Sequence, residues 1–160
     1  MRGPTIAWWP GKIPAGTETD AITSMMDFLP TFVKLAGGGL PTDRKLDGAD
    51  IWPILAGQPG AKSPHDVFYY YRGLKLEAVR SGPWKLHLAR KELYNLEADI
   101  GETTNVALGN PMVIERLRKL AAGMKEDLGL NGIGPGCRPL GKVSNAQPII
   151  SHDGTFRSDL

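Results

Sequence analysis

Four short β-prone runs follow one another between residues 67 and 96, and turn-length connections separate them. The runs cover residues 67–71, 76–80, 83–88 and 93–96. In the third run apolar and polar side chains alternate, which is the pattern of a strand with one buried face. Neighbouring strands with such short connections pair in antiparallel fashion. The sequence therefore predicts a four-stranded antiparallel meander.

A single amphipathic helix is predicted directly after these strands. Asn110 and Pro111 stand in the order that favours a helix start, an N-cap followed by a proline at the first helical position. Apolar residues then recur at helical spacing as far as Leu128, and Gly129 favours a helix end. One helix of this kind covers one face of the sheet, so residues 61–128 are expected to form an α+β unit.

The chain before this unit contains an apolar run, residues 4–9, which is closed by Pro10 and Gly11. A short apolar run bounded by proline and glycine predicts a strand that is buried on both faces. A strand of that type belongs in the middle of a sheet built from earlier βα units. The sequence encodes no such preceding partner, and the strand is therefore expected to need a sheet from elsewhere.

A second helix is predicted from the position of Pro30 in a stretch with helical periodicity. Proline in a helix interior costs about 3 kcal/mol, because its ring collides with the carbonyl group four residues earlier. A start at Asp27 removes this conflict, since Pro30 then lies in the first turn. We therefore predict Asp27 as the N-cap, rather than as a catalytic acid, and a helix over residues 28–36 that ends at Gly37. Its apolar side chains are expected to be core.

The composition limits the classes of function. The chain has 160 residues with 19 Lys and Arg against 17 Asp and Glu, and a net charge of +2 excludes the densely cationic surface of a sequence-independent nucleic-acid binder. A single cysteine, Cys137, excludes an intrachain disulfide and a multi-cysteine metal site. No run approaches the ~18 apolar residues of a membrane span. From residue 129 to residue 160, glycine and proline are frequent and periodicity is weak, which indicates an irregular tail.

Residue chemistry alone indicates no complete active site. The sequence has no Gly-x-Ser-x-Gly elbow, no P-loop and no His-Glu-x-x-His motif. His65, His87 and His152 lie far apart, and each is expected to be solvated or hydrogen-bonded. The run Tyr69–Arg72 combines aromatic faces with a cation and would suit a sugar or an anion, although cross-strand packing is the commoner use of such residues.

Several ordered motifs between Arg2 and Lys142 resemble the C-terminal part of the sulfatase family. Within that family the later motifs look closest to the branch of N-acetylgalactosamine-6-sulfatase and arylsulfatase A. The motifs are Trp9-Pro10-Gly11, Asp27-Phe-Leu-Pro-Thr31, Ala36-Gly37, Asp47-Gly48, Tyr70-Tyr-Arg-Gly73, Ala78-Val-Arg-Ser-Gly-Pro-Trp-Lys85, Leu93-Tyr-Asn-Leu-Glu-Ala-Asp-Ile-Gly-Glu102 with Asn105, and Pro135-Gly-Cys-Arg-Pro-Leu-Gly-Lys142.

The resemblance implies a division of the chain into three parts. Residues 1–60 correspond to the last strand and helix of the sulfatase α/β domain, which is similar to that of alkaline phosphatase. Residues 61–128 correspond to the terminal four-stranded antiparallel sheet with its helix, and residues 129–160 to the tail.

The resemblance also implies an activity, the hydrolysis of sulfate esters of a sulfated sugar or an aryl sulfate. Intact members use calcium and a formylglycine made from Cys or Ser in a Cys/Ser-x-Pro-x-Arg motif. Cys137 with Pro139 matches the start of that motif, but Gly141 stands where the motif requires Arg, so the sequence departs from it. The nucleophile and the calcium ligands are therefore expected upstream of Met1, and this chain alone is expected to be inactive.

Contacts with the rim of a bound substrate are the role that the resemblance suggests for side chains in this chain. The candidates are Tyr70, Tyr71, Arg72 and His87 in the sheet, with Arg138 and Lys142 in the tail. An alternative is a stand-alone module that binds carbohydrate or another protein without catalysis. Unpaired strand edges would then promote self-association. The family is commonly periplasmic, secreted or lysosomal.

Overall fold

The computed structural model describes residues 3–43, 45–129, 134–137, 148–150 and 153–156. Three helices and four strands form the described fold, together with one-turn 3₁₀ segments at Met25–Asp27 and Ala107–Gly109. The helices are α1 (Phe28–Leu35), α2 (Trp52–Leu55) and α3 (Pro111–Leu128). The strands are β1 (Val67–Arg72), β2 (Lys75–Ser81), β3 (Trp84–His87) and β4 (Glu92–Asn95). Within the described ranges, no helix is both long and apolar enough to cross a membrane.

The four strands form one antiparallel sheet in the order β1-β2-β3-β4. This meander confirms the prediction from the alternating runs. A bulge interrupts the β1–β2 ladder, because Tyr70 pairs with Ala78 whereas Tyr71 pairs with Leu76. The bulge leaves Glu77 without a directly opposed residue and bends the outer end of the hairpin.

Helix α3 covers one face of the sheet and closes the hydrophobic core. Fully buried leucines from β3, β4 and α3 meet there, and Val79 joins them from β2. The buried members of this core are Leu76, Val79, Leu86, Leu93, Leu117 and Ala121. Sheet and helix together form the predicted α+β unit, and α3 begins at Pro111 and ends before Gly129, as its end signals indicated.

The start of helix α1 agrees with the prediction, but the burial of its side chains does not. Asp27 occupies the N-cap position, and its carboxylate makes no cap hydrogen bond to α1. The buried residues of the helix are Pro30 and Thr31, whereas Leu29 and Phe32 are 59% and 58% exposed. The expectation that the apolar side chains of α1 form core was therefore wrong within the described residues, because no described element covers that face.

Residues 4–9 do not form the predicted strand. Ile6 and Trp8 are almost fully exposed. Trp9 lies against Trp52, with ring centroids 5.6 Å apart. A strand requires a hydrogen-bonded neighbour, and no strand among the described residues lies beside this segment. The prediction of a strand was wrong for this reason.

Candidate functional site

The sheet face that points away from α3 carries a group of polar and aromatic side chains. Side chains on one strand alternate between the two faces, and directly paired residues share a face. Because Lys85 is paired with Tyr94 and both flank the core leucines, they lie on the face opposite α3. His87 and Tyr70 lie on the same face, since both are paired with Ala78. We call this surface the polar face, and it consists of Tyr70, Lys85, His87, Tyr94 and the adjoining Glu102.

Glu102 connects Lys85 and His87 on the polar face. One carboxylate oxygen accepts a hydrogen bond from Lys85 Nζ at 2.5 Å, and the other accepts one from His87 Nε2 at 2.6 Å. The Lys85 side chain is only 6% exposed, so its charge is compensated at short range. A buried ammonium group without such a partner would be strongly unfavourable.

These contacts determine the ionisation of Glu102. Partial burial acts to raise its pKa, but the hydrogen bonds from Lys85 and His87 outweigh burial and leave the pKa below the usual value of 4.5. Glu102 is therefore ionised at neutral pH. It holds Lys85 and His87 in one arrangement.

The loop between residues 99 and 105 directs Glu102 toward the sheet. Asp99 accepts hydrogen bonds from the amides of Thr103 and Thr104, both at 2.7 Å. The Thr104 amide makes the largest contribution to holding the pKa of Asp99 below its ordinary value. Glu102 itself has a φ of +55°, a conformation that is uncommon outside glycine. The loop is secured to the sheet by Asn105, whose side-chain oxygen accepts the Leu93 amide at 3.1 Å.

The hydrogen bonds of His87 assign its tautomer. Arg90 lies 3.2 Å from Nδ1, and a guanidinium group can only donate. Nδ1 is therefore the acceptor, and Nε2 carries the proton that it donates to Glu102. The ring also packs edge-on against Tyr94, with centroids 5.7 Å apart. Both nitrogens of His87 are thus occupied within the protein.

Aromatic rings extend the polar face along β1. Lys85 Nζ lies 4.9 Å from the centre of the Tyr70 ring, which is within the range of a cation–π contact. Tyr70 packs against Phe68 at 5.3 Å, and Phe68 packs against His65 at 6.0 Å. These ring contacts therefore connect the polar face to the segment that precedes the sheet.

Comparison with known proteins identifies the family. The family model described as N-sulphoglucosamine sulphohydrolase, C-terminal, matches residues 1–128. The chain belongs to this sulfatase family. N-acetylgalactosamine-6-sulfatase of Canis lupus familiaris is 46% identical to it over 87 residues, which are 54% of this chain and 16% of that protein. Arylsulfatase G of Rattus norvegicus is 31% identical over 142 residues, 74% of this chain and 27% of that protein.

Solved structures give the same assignment. A protein solved in complex with its substrate, D-glucosamine-2-N,6-O-disulfate, superimposes with a TM-score of 0.53 and 27% identity. The match covers 73% of this chain and 26% of that protein. The sulfatase chain described here thus spans about a sixth to a quarter of the length of the proteins that it matches. The resemblance inferred from the motifs, to the C-terminal part of a sulfatase, is confirmed.

The predicted rim residues of this sulfatase part lie in different environments. Tyr70 and His87 belong to the polar face, where Lys85 and Glu102 bring them together. Tyr71 pairs with Leu76, a residue of the core beneath α3, and is 38% exposed. The Arg72 side chain is 83% exposed at the tip of the β1–β2 hairpin and contacts Glu77 at 3.1 Å.

The two tail candidates, Arg138 and Lys142, lie outside the described residues, and so does His152. Rim contacts for all six candidates stay a prediction.

Three members of the polar face were missed from the sequence, Lys85, Tyr94 and Glu102. The alternation in β3 places Lys85 on the same face as His87, which is a signal that could have indicated Lys85. Glu102 ends the Asp-x-Gly-Glu motif, but the motif does not show that its side chain reaches β3. The partner of Lys85 becomes visible only when the loop between residues 99 and 105 is placed beside the sheet.

The described residues do not fit the sulfatase cofactors. Among them, no three His, Cys, Asp or Glu side chains converge on one point as metal ligands would. Cys137 donates its thiol hydrogen to the Leu128 carbonyl at 3.5 Å, and the sequence that follows it is not a formylglycine motif. No chemical step through calcium or formylglycine can therefore be derived from this part of the chain.

Proposed function

We propose that this chain forms the C-terminal part of a sulfatase that hydrolyses the sulfate esters of a sulfated sugar. The observation that carries the proposal is the family match over residues 1–128. The names of two similar proteins refer to sulfated or N-acetylated amino sugars, which supports a sulfated sugar as the substrate class. An aryl sulfate, to which the name of Arylsulfatase G refers, is the alternative. Calcium and formylglycine are the cofactors that this proposal assigns to the intact enzyme.

Residues 1–60 are proposed to complete the catalytic α/β domain. Their support is the number of large apolar side chains that this region exposes, among them Trp8 and Met25 at 84% and 83%, and Leu29 and Phe32 of α1 at 59% and 58%. Single exposed apolar residues are ordinary, but several large ones in one region indicate a contact surface. In a sulfatase, the rest of the α/β domain is the part that would cover this apolar surface.

Residues 61–128 are proposed to supply part of the rim around the substrate. The polar face offers the partly exposed rings of Tyr70 and His87, which suit the apolar side of a sugar. Arg72 has an exposed guanidinium group, which suits a sulfate or carboxylate of a longer substrate. Residues 129–160 are proposed as an irregular tail with further rim contacts at Arg138 and Lys142.

The chain itself is proposed to have no hydrolytic activity, because the described residues hold neither a metal-binding group nor the nucleophile motif. The test is to incubate it with 4-nitrophenyl sulfate and with D-glucosamine-2-N,6-O-disulfate in the presence of calcium. Sulfate release at the rate of a protein-free blank is expected. Calcium-dependent release above the blank would contradict this part of the proposal.

A rim role for Arg72 is tested in an intact sulfatase relative that carries the corresponding arginine. Its replacement by alanine should lower kcat/KM on a long sulfated oligosaccharide and leave kcat/KM on a monosaccharide unchanged. Equal loss on both substrates, or no loss on either, would exclude a rim contact for this residue.

A further inference from the structure

The most highly connected buried side chain before the sheet is that of Asp27, which is fully buried. Its Oδ2 accepts the Ser24 amide at 2.7 Å, and its Oδ1 accepts the Ala49 amide at 2.9 Å. His65 Nε2 lies 2.8 and 2.9 Å from the two oxygens. A buried carboxylate persists only when such partners compensate it. Asp27 thus joins three segments that are well separated in the sequence.

Neighbouring contacts make these segments a tightly packed joint. A Cβ atom on Gly48 would lie 1.9 Å from the Met26 carbonyl oxygen, so the loop passes directly against the residue before Asp27. Thr31 Oγ1 donates to the Asp27 carbonyl at 2.6 Å and accepts the Ile51 amide at 3.0 Å. Ser63 Oγ donates to the Ile22 carbonyl at 2.6 Å, which holds the segment that carries His65.

From this joint, an unbroken series of side-chain contacts leads to the polar face. The His65 ring meets Phe68 edge-on, at an interplanar angle of 85°. Phe68 packs against Tyr70, and Tyr70 lies beneath Lys85. Packed aromatic rings transmit a displacement because interiors have few voids into which a ring could move. The position of His65 therefore influences the position of the Tyr70 ring.

A second contact between the two regions is weaker. Lys45 Nζ meets Asp127 near the end of α3 at 2.7 Å, but the lysine side chain is 59% exposed. Exposed ion pairs of this kind contribute little to holding two parts of a protein together. The buried pair is accordingly the stronger of these two connections.

We infer that Asp27 and His65 are positioning residues, which set the polar face of the terminal sheet in its place relative to helix α1. The inference deepens the proposed function and rests on it, because the place of the polar face matters to a substrate only if this face borders the sulfatase active site. Any displacement of the polar face that follows a change at Asp27 or His65 is a property of this chain and can be measured without a substrate.

The test compares three variants of the full chain by NMR, with assigned backbone amides and side-chain signals. Asp27→Asn keeps the shape of the side chain. Its amide group is a donor, however, and it would face the donors of Ser24, Ala49 and His65. We expect hydrogen exchange at Ser24 and Ala49 to accelerate about tenfold or more. The NMR signals of Tyr70, Lys85 Nζ and His87 should shift in the same variant.

His65→Gln separates the hydrogen bond from the ring contact. Glutamine can still donate to Asp27, so hydrogen exchange at Ser24 and Ala49 should change less than in Asp27→Asn. The ring against Phe68 is absent, so the Phe68 and Tyr70 ring signals should still shift. Lys45→Gln is the matched control, since it removes the exposed contact between the same two regions, and it should leave the polar face unchanged.

The inference is overturned if Asp27→Asn and His65→Gln change the signals of Tyr70, Lys85 and His87 no more than Lys45→Gln does. A variant that fails to fold is replaced by the other, because each one alone predicts the shift at Tyr70. Sulfate release in the assay above would contradict the proposed inactivity without affecting this result, so the two failures can be told apart.

Discussion

The regions before and after residue 66 differ in how far each one buries its own apolar side chains. In the sheet and α3, the fully buried side chains are leucines and a valine. Around α1, the fully buried side chains include Asp27 and Thr31, while Leu29 and Phe32 of the same helix face outward. In the sheet and α3, apolar side chains of the two elements bury one another. Around α1, a polar cluster is buried, and the described residues leave the apolar face of the helix uncovered.

This contrast shows what an amphipathic pattern determines. The spacing of apolar residues states which side chains share a face of a helix. It does not state which layer lies upon that face. The sheet and α3 follow each other in the chain and cover each other, whereas the apolar face of α1 has no such neighbour among the described elements.

The largest effect is expected from truncation of the closed core. Leu86→Ala removes a fully buried side chain and should lower the free energy of unfolding by about 2–5 kcal/mol. Leu29→Ala makes the same chemical change on the exposed face of α1 and should cost no more than about 0.5 kcal/mol. Urea unfolding with unchanged m-values measures both. Equal losses would mean that the two regions do not differ as described.

A smaller loss is expected when the polar joint is overpacked. Gly48→Ala places a methyl group against the Met26 carbonyl, and should destabilise the chain by about 1–3 kcal/mol. Gly39→Ala is the control, because nothing lies within 4 Å of its added Cβ. Thermal unfolding of the two variants compares them. A Gly48→Ala variant as stable as Gly39→Ala would show that the loop does not pass against Met26.

A pH-dependent loss is expected at the polar face from Glu102→Gln. The folded pKa of Glu102 is below 4.5, so its contribution to stability is complete above that pH and is lost as the pH falls through the folded pKa. The stability difference between wild type and variant should therefore be largest above about pH 5 and shrink in more acidic solution. The glutamine side chain still accepts a hydrogen bond from Lys85 Nζ, and water screens the partly exposed carboxylate, so the loss should be smaller than at Gly48. Urea midpoints between pH 3 and 7 measure the difference, and a constant difference would contradict the account of Glu102.

The smallest effect on stability is expected at the hairpin tip. Arg72→Ala removes an exposed ion pair with Glu77 and should change the free energy of unfolding by no more than about 0.5 kcal/mol. Thermal unfolding checks this value. A larger loss would indicate that Arg72 stabilises the hairpin, and its effect on a long substrate could then not be assigned to binding.

Prediction from sequence succeeded where local pattern determines structure. The alternation around Lys85 and the end signals at Pro111 and Gly129 were sufficient for the sheet and α3, because these elements pack against near neighbours in the chain. The run at residues 4–9 carried a strand pattern, but a strand forms only beside another strand. Local sequence could not supply that condition.

The candidate site was predicted less completely. Tyr70 and His87 were candidates that the family resemblance suggested, and their rim role stays a prediction, whereas the groups that hold them were not predicted. His65 and Asp27 are 38 residues apart, and their contact depends on how the intervening chain returns to α1. Asp27 was predicted from its position as a helix cap, whereas its carboxylate binds Ser24, Ala49 and His65 instead.

The difference in burial between the two regions is tested most directly by hydroxyl-radical footprinting of the chain at low concentration, with each residue compared with the same residue in the urea-unfolded chain. The account predicts that Trp8, Met25 and Phe32 are oxidised nearly as fast as in the unfolded chain, and that Leu86 and Leu117 are oxidised much more slowly than in it. Protection of Trp8, Met25 and Phe32 to the level of the core leucines would contradict it, because the apolar face of α1 would then be covered within the chain itself.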